Sequence, residues 1–260
     1  MAVRARDFSY FPPGFCALAH RGGWAAGEAA ENTLAAFSAA VEMGYSHLET
    51  DVHVTSDGVL VAFHDDLLDR VTDASGPIAQ LPWSEVRAAR IGGVEPIPTF
   101  DELLDAFPTT RFNIDLKADG AVAPLAETLA RHGAERRVCV GSFSTRRIRR
   151  FRRLAGPSVA TSADPLGVIW YAFAAGGRRV LAPPGQALQV PVRDEKTGVL
   201  IVKPSLITAA HRAGRVVHVW TVNDASEMHR LIDLGVDGLV SDDIALLKDV
   251  LVERGLWTGA

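Results

Sequence analysis

Short apolar runs alternate with helix-period segments along almost the whole chain, and this alternation limits the folds open to it. Residues 16–19 read as a first strand closing on His20-Arg21-Gly22-Gly23. A helix follows from Thr33, with Asn32 as its N-cap, Leu34, Phe37 and Val41 on one face, and Gly44 at its end. Residues 46–52 form the second strand. The rhythm resumes with a helix at 99–107 and a strand at 111–116. Helices at 121–132 and 144–154 then alternate with strands at 138–141 and 158–161. A helix over 164–175 places Leu166, Ile169, Trp170 and Phe173 on one face, while 180–182 and 186–190 are short strand candidates. Pro204 suits the first position of a helix that Gly214 stops, and 216–222 is a strand. Asp224 and Glu227 form a capping box for a helix closed by Gly235, and 238–240 and 244–253 are the last strand and helix. Roughly eight β/α units without a break in composition favour a single TIM (β/α)8 barrel over a doubly wound sheet. The 260 residues match one such domain, spanning 1–260.

One stretch, residues 48–66, breaks the rhythm and concentrates the chemistry. Glu49 and Asp51 are two apart, so in a strand both carboxylates leave the same face. Two alternating runs flank Ser56-Asp57-Gly58, a hairpin signal, and the stretch ends on Phe63-His64-Asp65-Asp66. Hard oxygen donors at one end and a histidine at the other suggest a divalent cation beside a proton-transfer group. A surface hairpin with solvated charges is the plain alternative. Residues 67–98 are irregular and proline-rich, with one short helix near 84–90, and read as a short insertion after the second strand.

Composition excludes several classes. A net charge of −4 argues against a nucleic-acid binder that relies on an overall basic surface. Cys16 and Cys139 lie in apolar runs and read as buried hydrophobes rather than a disulfide or a metal pair. No secretory signal opens the chain, and no apolar run approaches the ~20 residues that span a bilayer, so a cytoplasmic protein without membrane insertion is expected. Arg146 to Arg153 holds six arginines around Ile148 and Phe151. A patch for an anionic membrane or a nucleic acid is one reading of it. The solvated outside of a barrel helix, anchored by Ile148, Phe151 and Leu154, is the expected one.

In a barrel the catalytic mouth lies at the carboxyl ends of the strands. The polar residues there are His20 and Arg21, Glu49 and Asp51, Asp115 and Lys117, Ser142 and Trp220. Three carboxylates from two neighbouring strands repel one another unless a counter-charge intervenes, and Mg²⁺ or Ca²⁺ supplies one with the oxygen donors it prefers. Arg21 and Lys117 beside them suit an anion, phosphate above all. His218 shares a strand face with Trp220 and either lines the pocket or packs. His47 and His53 read as structural or exposed. Asp65, Asp66, Asp242 and Asp243 read as supporting or capping residues.

His20-Arg21-Gly22, Glu31-Asn32-Thr33, Glu49-x-Asp51, Asp57-Gly58, His64-Asp65, Ile97-Pro98-Thr99, Asp115-x-Lys117, Trp220-Thr221-Val222-Asn223 and Gly235-Val236-Asp237-Gly238 occur in that order. Together they closely resemble the glycerophosphodiester phosphodiesterase family, over residues 16–247. The resemblance implies a metal-dependent TIM-barrel hydrolase that releases glycerol 3-phosphate and an alcohol from a glycerophosphodiester. It implies His20 and His64 as the acid/base pair, and Glu49, Asp51 and Asp115 as ligands of one divalent cation, Mg²⁺ or Ca²⁺. Arg21 and Lys117 are implied as phosphate contacts. Trp220, at its strand end, reads as a wall for the glycerol or leaving group, with barrel packing as the alternative. Two departures stand out. The family often has Glu where this chain has Asp115, and more often Arg-Thr-Thr where it has Arg70-Val71-Thr72, a change expected to matter little. Attack by the glycerol 2-hydroxyl through a cyclic phosphate competes with direct attack by water. A lysophospholipase D-like enzyme and a barrel that only binds phosphoesters are the alternatives. The released alcohol, the ion and the oligomeric state are not fixed by the sequence.

Overall fold

The computed structural model describes residues 4–11, 13–173 and 183–259. The strand expected at 180–182 and the end of the helix expected to reach 175 lie outside these residues. The first half runs β1 (Cys16–Ala19), α1 (Leu34–Glu42), β2 (His47–Val54), β3 (Leu60–Ala62), α2 (Trp83–Val86), β4 (Arg90–Ile91), β5 (Glu95–Pro96) and α3 (Phe100–Ala106). Next come β6 (Arg111–Leu116), α4 (Val122–Arg131), β7 (Val138–Gly141), α5 (Thr145–Ala155), β8 (Ala160–Thr161) and α6 (Pro165–Phe173). The last third is β9 (Ala187–Pro191), α7 (Pro204–Arg212), β10 (Val216–Trp220), α8 (Ala225–Leu234), β11 (Gly238–Ser241) and α9 (Ile244–Glu253).

Eight strands pair in the order β8-β7-β6-β2-β1-β11-β10-β9, each parallel to its neighbour. A parallel bridge from Ser162 to Ala187 joins the two ends, and the Ala163 N–H donates to the Ala187 carbonyl at 2.7 Å. The ring is therefore the (β/α)8 barrel that the alternation predicts. Alternation along each strand sorts the side chains. Leu48, Val52, Phe112, Ile114, Val217, Val219 and Leu239 face outward, into the main core with Phe37, Leu103, Ile148, Phe151 and Leu247 from the helices. The residues between them (Cys16, Leu18, Glu49, Asp51, Asn113, Asp115, Cys139, His218, Trp220) turn into the barrel. Tyr10 closes the floor. It packs on Cys139, Ala160 and Ala187, and its carbonyl accepts from His47 Nε2 at 3.1 Å. Both cysteines are free and buried, and burial pushes the Cys16 thiol up to about 12.

Several local expectations are corrected. Thr33, not Asn32, caps α1, accepting from the Ala36 N–H. Asn32 is turned into the barrel mouth with φ +59°. On α6 Val168 and Tyr171 face the core and Trp170 of the expected face packs there with them, while Leu166 and Ile169 are more than half exposed. The capping box of α8 is half made. Asp224 accepts from the Glu227 N–H, but the Glu227 carboxylate turns to Arg230. The 158–161 strand shortens to β8.

Within 67–98 the short helix is only α2, because Arg90 instead enters β4 and pairs with β5. β2 and β3 form the expected antiparallel hairpin. Val61, Phe63, Leu68, Ile78, Val86, Ala89, Ile91 and Ile97 make a second, smaller core beneath the insertion. On α5, Ile148 and Phe151 are fully buried while Leu154 is exposed. Arg147 donates to the Leu116 carbonyl at 2.7 Å and Arg152 to the Ser162 carbonyl at 2.7 Å, so both tie the helix to the barrel. Among the described residues no helix is long and apolar enough to cross a membrane.

Candidate active site

His20 follows β1 and continues its inward face, at the start of a tight turn, His20–Gly22. The turn packs so closely on α1 that a Cβ on Gly22 would lie 2.6 Å from that of Ala36; glycine is required there, at φ +90°. His20 Nδ1 lies 2.5 Å from Asp242 Oδ1, just past β11. The other Asp242 oxygen accepts from Asn223 Nδ2 at 2.9 Å, and Asn223 Oδ1 accepts from the Asp242 N–H and the Ser241 hydroxyl. His20 Nε2 stands 3.8 Å from Glu49 Oε2. Burial alone lowers the pKa of this imidazole, but the charge of Glu49 and the bond to Asp242 outweigh it, and the net shift is upward.

His64 enters the mouth from the far side of the β2–β3 hairpin. Its Nδ1 lies 2.5 Å from Asp65 Oδ1, and Asp65 Oδ2 accepts from Arg70 Nε at 2.5 Å. His53, buried as a structural residue, contacts the His64 carbonyl through Nε2 at 3.1 Å. Burial lowers the His64 pKa; Lys117 and Arg21 lower it further, against the pull of Asp51. The two imidazoles therefore sit in opposite electrostatic surroundings. A cavity of about 540 Å³ opens here, lined by His64, Asp65, Leu67, Arg70 and Lys117 among others.

Between them lies the charged centre. Asp51 of β2 pairs in register with Asp115 of β6, and Glu49 sits one inward position below Asp51. Lys117 Nζ stands between Asp51 Oδ1 at 2.9 Å and Asp115 Oδ2 at 2.8 Å. Arg21 Nε is 3.2 Å from Asp51 Oδ2, and the Arg21 N–H donates to Glu49 Oε2 at 3.2 Å. Asn32 Nδ2 donates to Asp51 Oδ2 at 3.1 Å while its own oxygen accepts from Thr50. Asp51 is held low: burial raises its pKa, but Lys117 and Arg21 outweigh that. Glu49 is different. Burial, then the charge of Asp51, pushes it up to about 7.

Hard carboxylate oxygens are the donors that Mg²⁺ or Ca²⁺ takes, and the three acids fit such an ion in the chemistry of their donors. They are not gathered as a ready cage: among the described residues no three His, Cys, Asp or Glu side chains form a metal-holding group. Lys117 supplies the counter-charge between Asp51 and Asp115.

Trp220 ends β10 facing inward, edge-on to Phe143 with ring centroids 5.7 Å apart. Phe143 is 67% exposed beside the mouth, with Lys117 Nζ 5.9 Å from its ring. His218 is buried deeper in the barrel, where it packs near Phe11 with ring centroids 6.0 Å apart, and burial pushes its pKa down to about 3. Ser142 is also structural, donating to the Leu116 carbonyl at 2.8 Å.

Asp65 and Asp242, read from the sequence as supporting residues, each back one imidazole. Sequence reasoning gave no role at the site to Glu31, Asn32, Arg70, Phe143 and Asn223, which all reach it. Glu31-Asn32 and Asn223 stand in short recognisable motifs, which was a signal. Phe143 and the reach of Arg70 had none.

Two imidazoles and two cations at one barrel mouth suit an anionic substrate such as a phosphate ester. Comparison narrows that class. Residues 20–246 match the Glycerophosphoryl diester phosphodiesterase family, and the chain belongs to that family: it is a phosphoric diester hydrolase, a glycerophosphodiester phosphodiesterase. It is 40% identical to "Probable glycerophosphodiester phosphodiesterase 2" of Mycobacterium tuberculosis, over 95% of this chain and 94% of the relative. A solved chain from Silicibacter pomeroyi superimposes with a TM-score of 0.80 at 25% identity, covering 98% of this chain and 100% of that one. An Oleispira antarctica phosphodiesterase, solved with the product sn-glycerol-3-phosphate, shares the fold with a TM-score of 0.76 at 23% identity, covering 94% of this chain and 98% of that one.

Proposed function

We propose that the chain hydrolyses glycerophosphodiesters of deacylated phospholipids to glycerol 3-phosphate and an alcohol, with His20 and His64 as the acid/base pair. The observation that carries this is the matched pair of imidazoles, each with an aspartate 2.5 Å from Nδ1. Such an aspartate fixes the proton on Nδ1 and leaves Nε2 free to take or give one. One imidazole takes the proton of the attacking oxygen and the other donates to the oxygen of the leaving alcohol. Arg21 and Lys117 bind the phosphate oxygens, and Trp220 walls the glycerol or leaving-group side. Glu49, Asp51 and Asp115 would hold one divalent cation, Mg²⁺ or Ca²⁺. When bound, that cation neutralises charge that builds on phosphate oxygen.

The fold relative solved with sn-glycerol-3-phosphate supports the product assigned here. We further assign residues 1–260 to one catalytic domain with 67–98 as its insertion.

The test is a coupled assay for glycerol 3-phosphate released from glycerophosphocholine and glycerophosphoethanolamine, with EDTA and with Mg²⁺ or Ca²⁺ restored. Activity lost to EDTA and recovered with one ion is expected. Undiminished turnover in EDTA would remove the metal from the proposal, and turnover in a His20→Ala, His64→Ala double variant would remove the histidine pair.

A further inference from the structure

Arg70 belongs to the insertion, yet its guanidinium reaches two carboxylates at the mouth. It holds Asp65 through Nε at 2.5 Å and Nη2 at 3.2 Å. It holds Glu31 through Nη2 at 2.6 Å and Nη1 at 3.1 Å. Each carboxylate has a second partner. Asp65 holds His64 Nδ1 at 2.5 Å, and Glu31 accepts from Arg21 Nη1 at 3.2 and 3.3 Å. An unbroken line of contacts thus runs from His64 through Asp65, Arg70 and Glu31 to Arg21.

We propose that Arg70 is a positioning residue that fixes the His64 ring and the Arg21 guanidinium in one frame. The proposal rests on the reading of His64 as a proton-transfer group and Arg21 as a phosphate contact. The chemistry favours arginine here. A planar fork of donors can grip two carboxylates at once, which the point charge of lysine cannot do. Without that grip Asp65 is free to rotate toward water, and His64, 31% exposed, loses the partner that sets its plane and tautomer.

The insertion holds Arg70 in place. Leu68 is buried in the second core, the Thr72 hydroxyl donates to the Leu68 carbonyl at 2.8 Å, and Asp69 accepts from the Gly76 N–H at 3.0 Å. Arg70 is itself 48% exposed, so its ion pairs contribute little to stability. Loss of function is therefore separable from loss of fold.

The experiment compares Arg70→Ala and Arg70→Lys in the full chain, alone and combined with Asp65→Asn or Glu31→Gln. Arg70→Ala should lower kcat by ~10- to 100-fold, the scale seen when the partners of site groups are removed. KM should rise by a few-fold as Arg21 loses its support, with the melting temperature unchanged. Arg70→Lys should recover little of either. In the Asp65→Asn background the kcat effect of Arg70→Ala should almost vanish, and in the Glu31→Gln background its KM effect should do so.

Nitrogen NMR of the histidine rings adds a readout independent of turnover. His64 should hold its neutral proton on Nδ1 in the native chain and populate both tautomers in Arg70→Ala. Unchanged kcat and KM in Arg70→Ala, full multiplicativity with both second substitutions, or an unmoved His64 tautomer would each overturn the proposal. A native chain that releases no glycerol 3-phosphate sinks the functional reading instead, and the NMR result still decides the role of Arg70.

Discussion

His20 and His64 present the same unit, an imidazole with an aspartate 2.5 Å from Nδ1, but the two aspartates are anchored in different ways. Asp242 is held by the neutral amide of Asn223, and the whole arrangement sits on the ends of the adjacent strands β1, β11 and β10. Asp65 is held by the charged Arg70, which comes from outside the barrel. The side chain of His20 is 16% exposed and that of His64 31%. One arm is therefore set by strand register and buried hydrogen bonds. The other is set by partly solvated ion pairs, which salt weakens. The barrel supplies the buried half of the site, and the insertion anchors the partly solvated half.

The sharpest test of this pairing is removal of each ring. His20→Ala and His64→Ala should each lower kcat by ~10²- to 10⁴-fold, the usual contribution of a general acid or base, with glycerol 3-phosphate release as the readout. A loss below about tenfold in either would end the symmetry between the arms.

Asp242→Asn and Asp65→Asn should each cost ~10- to 100-fold. The buried arm should suffer more, because water compensates a lost carboxylate charge less well at His20, 16% exposed, than at His64, 31% exposed. Equal losses would argue that the anchoring chemistry does not matter.

A smaller effect separates the barrel from the insertion on acidification. His47 and His218 stay neutral in the fold, with burial pushing their pKa values down from 6.5 to about 4 and about 3. The unfolded chain takes up protons there below pH 6.5 while the native chain does not. Stability should thus fall as pH drops from 6.5 toward 4, by ~1.4 kcal/mol per pH unit for each ring. Denaturation midpoints at pH 7 and pH 5 measure this, and a His47→Asn, His218→Gln pair should flatten the slope. The smallest effect is that of salt. At saturating substrate, raising ionic strength from ~0.05 to ~0.5 M should lower kcat by about twofold in the native chain and leave Arg70→Ala unmoved.

Much of this molecule was readable in the chain because it depends on period. Strands buried on both faces must alternate side chains between the helix layer and the barrel interior. Glu49-x-Asp51 and Asp115-x-Lys117 therefore reach the mouth together whatever else the chain does. The order of motifs was enough to identify the family as well. Asn32 was misread because asparagine suits a cap and an inward turn equally, and only the closeness of Asp51 and Thr50 decides between them. The α6 face was misread for a similar reason: two apolar stripes compete on that helix, and only packing selects Val168 and Tyr171.

The sequence by itself determined the barrel, the strand faces and the residue types gathered at its mouth, since each follows from local periodicity and side-chain chemistry. Tertiary structure alone decided which aspartate backs which histidine, that Lys117 stands between Asp51 and Asp115, and that Arg70 reaches Glu31 across 39 positions of chain. Contacts of that kind depend on where separate strand ends and loops meet in space, and no local pattern encodes the meeting.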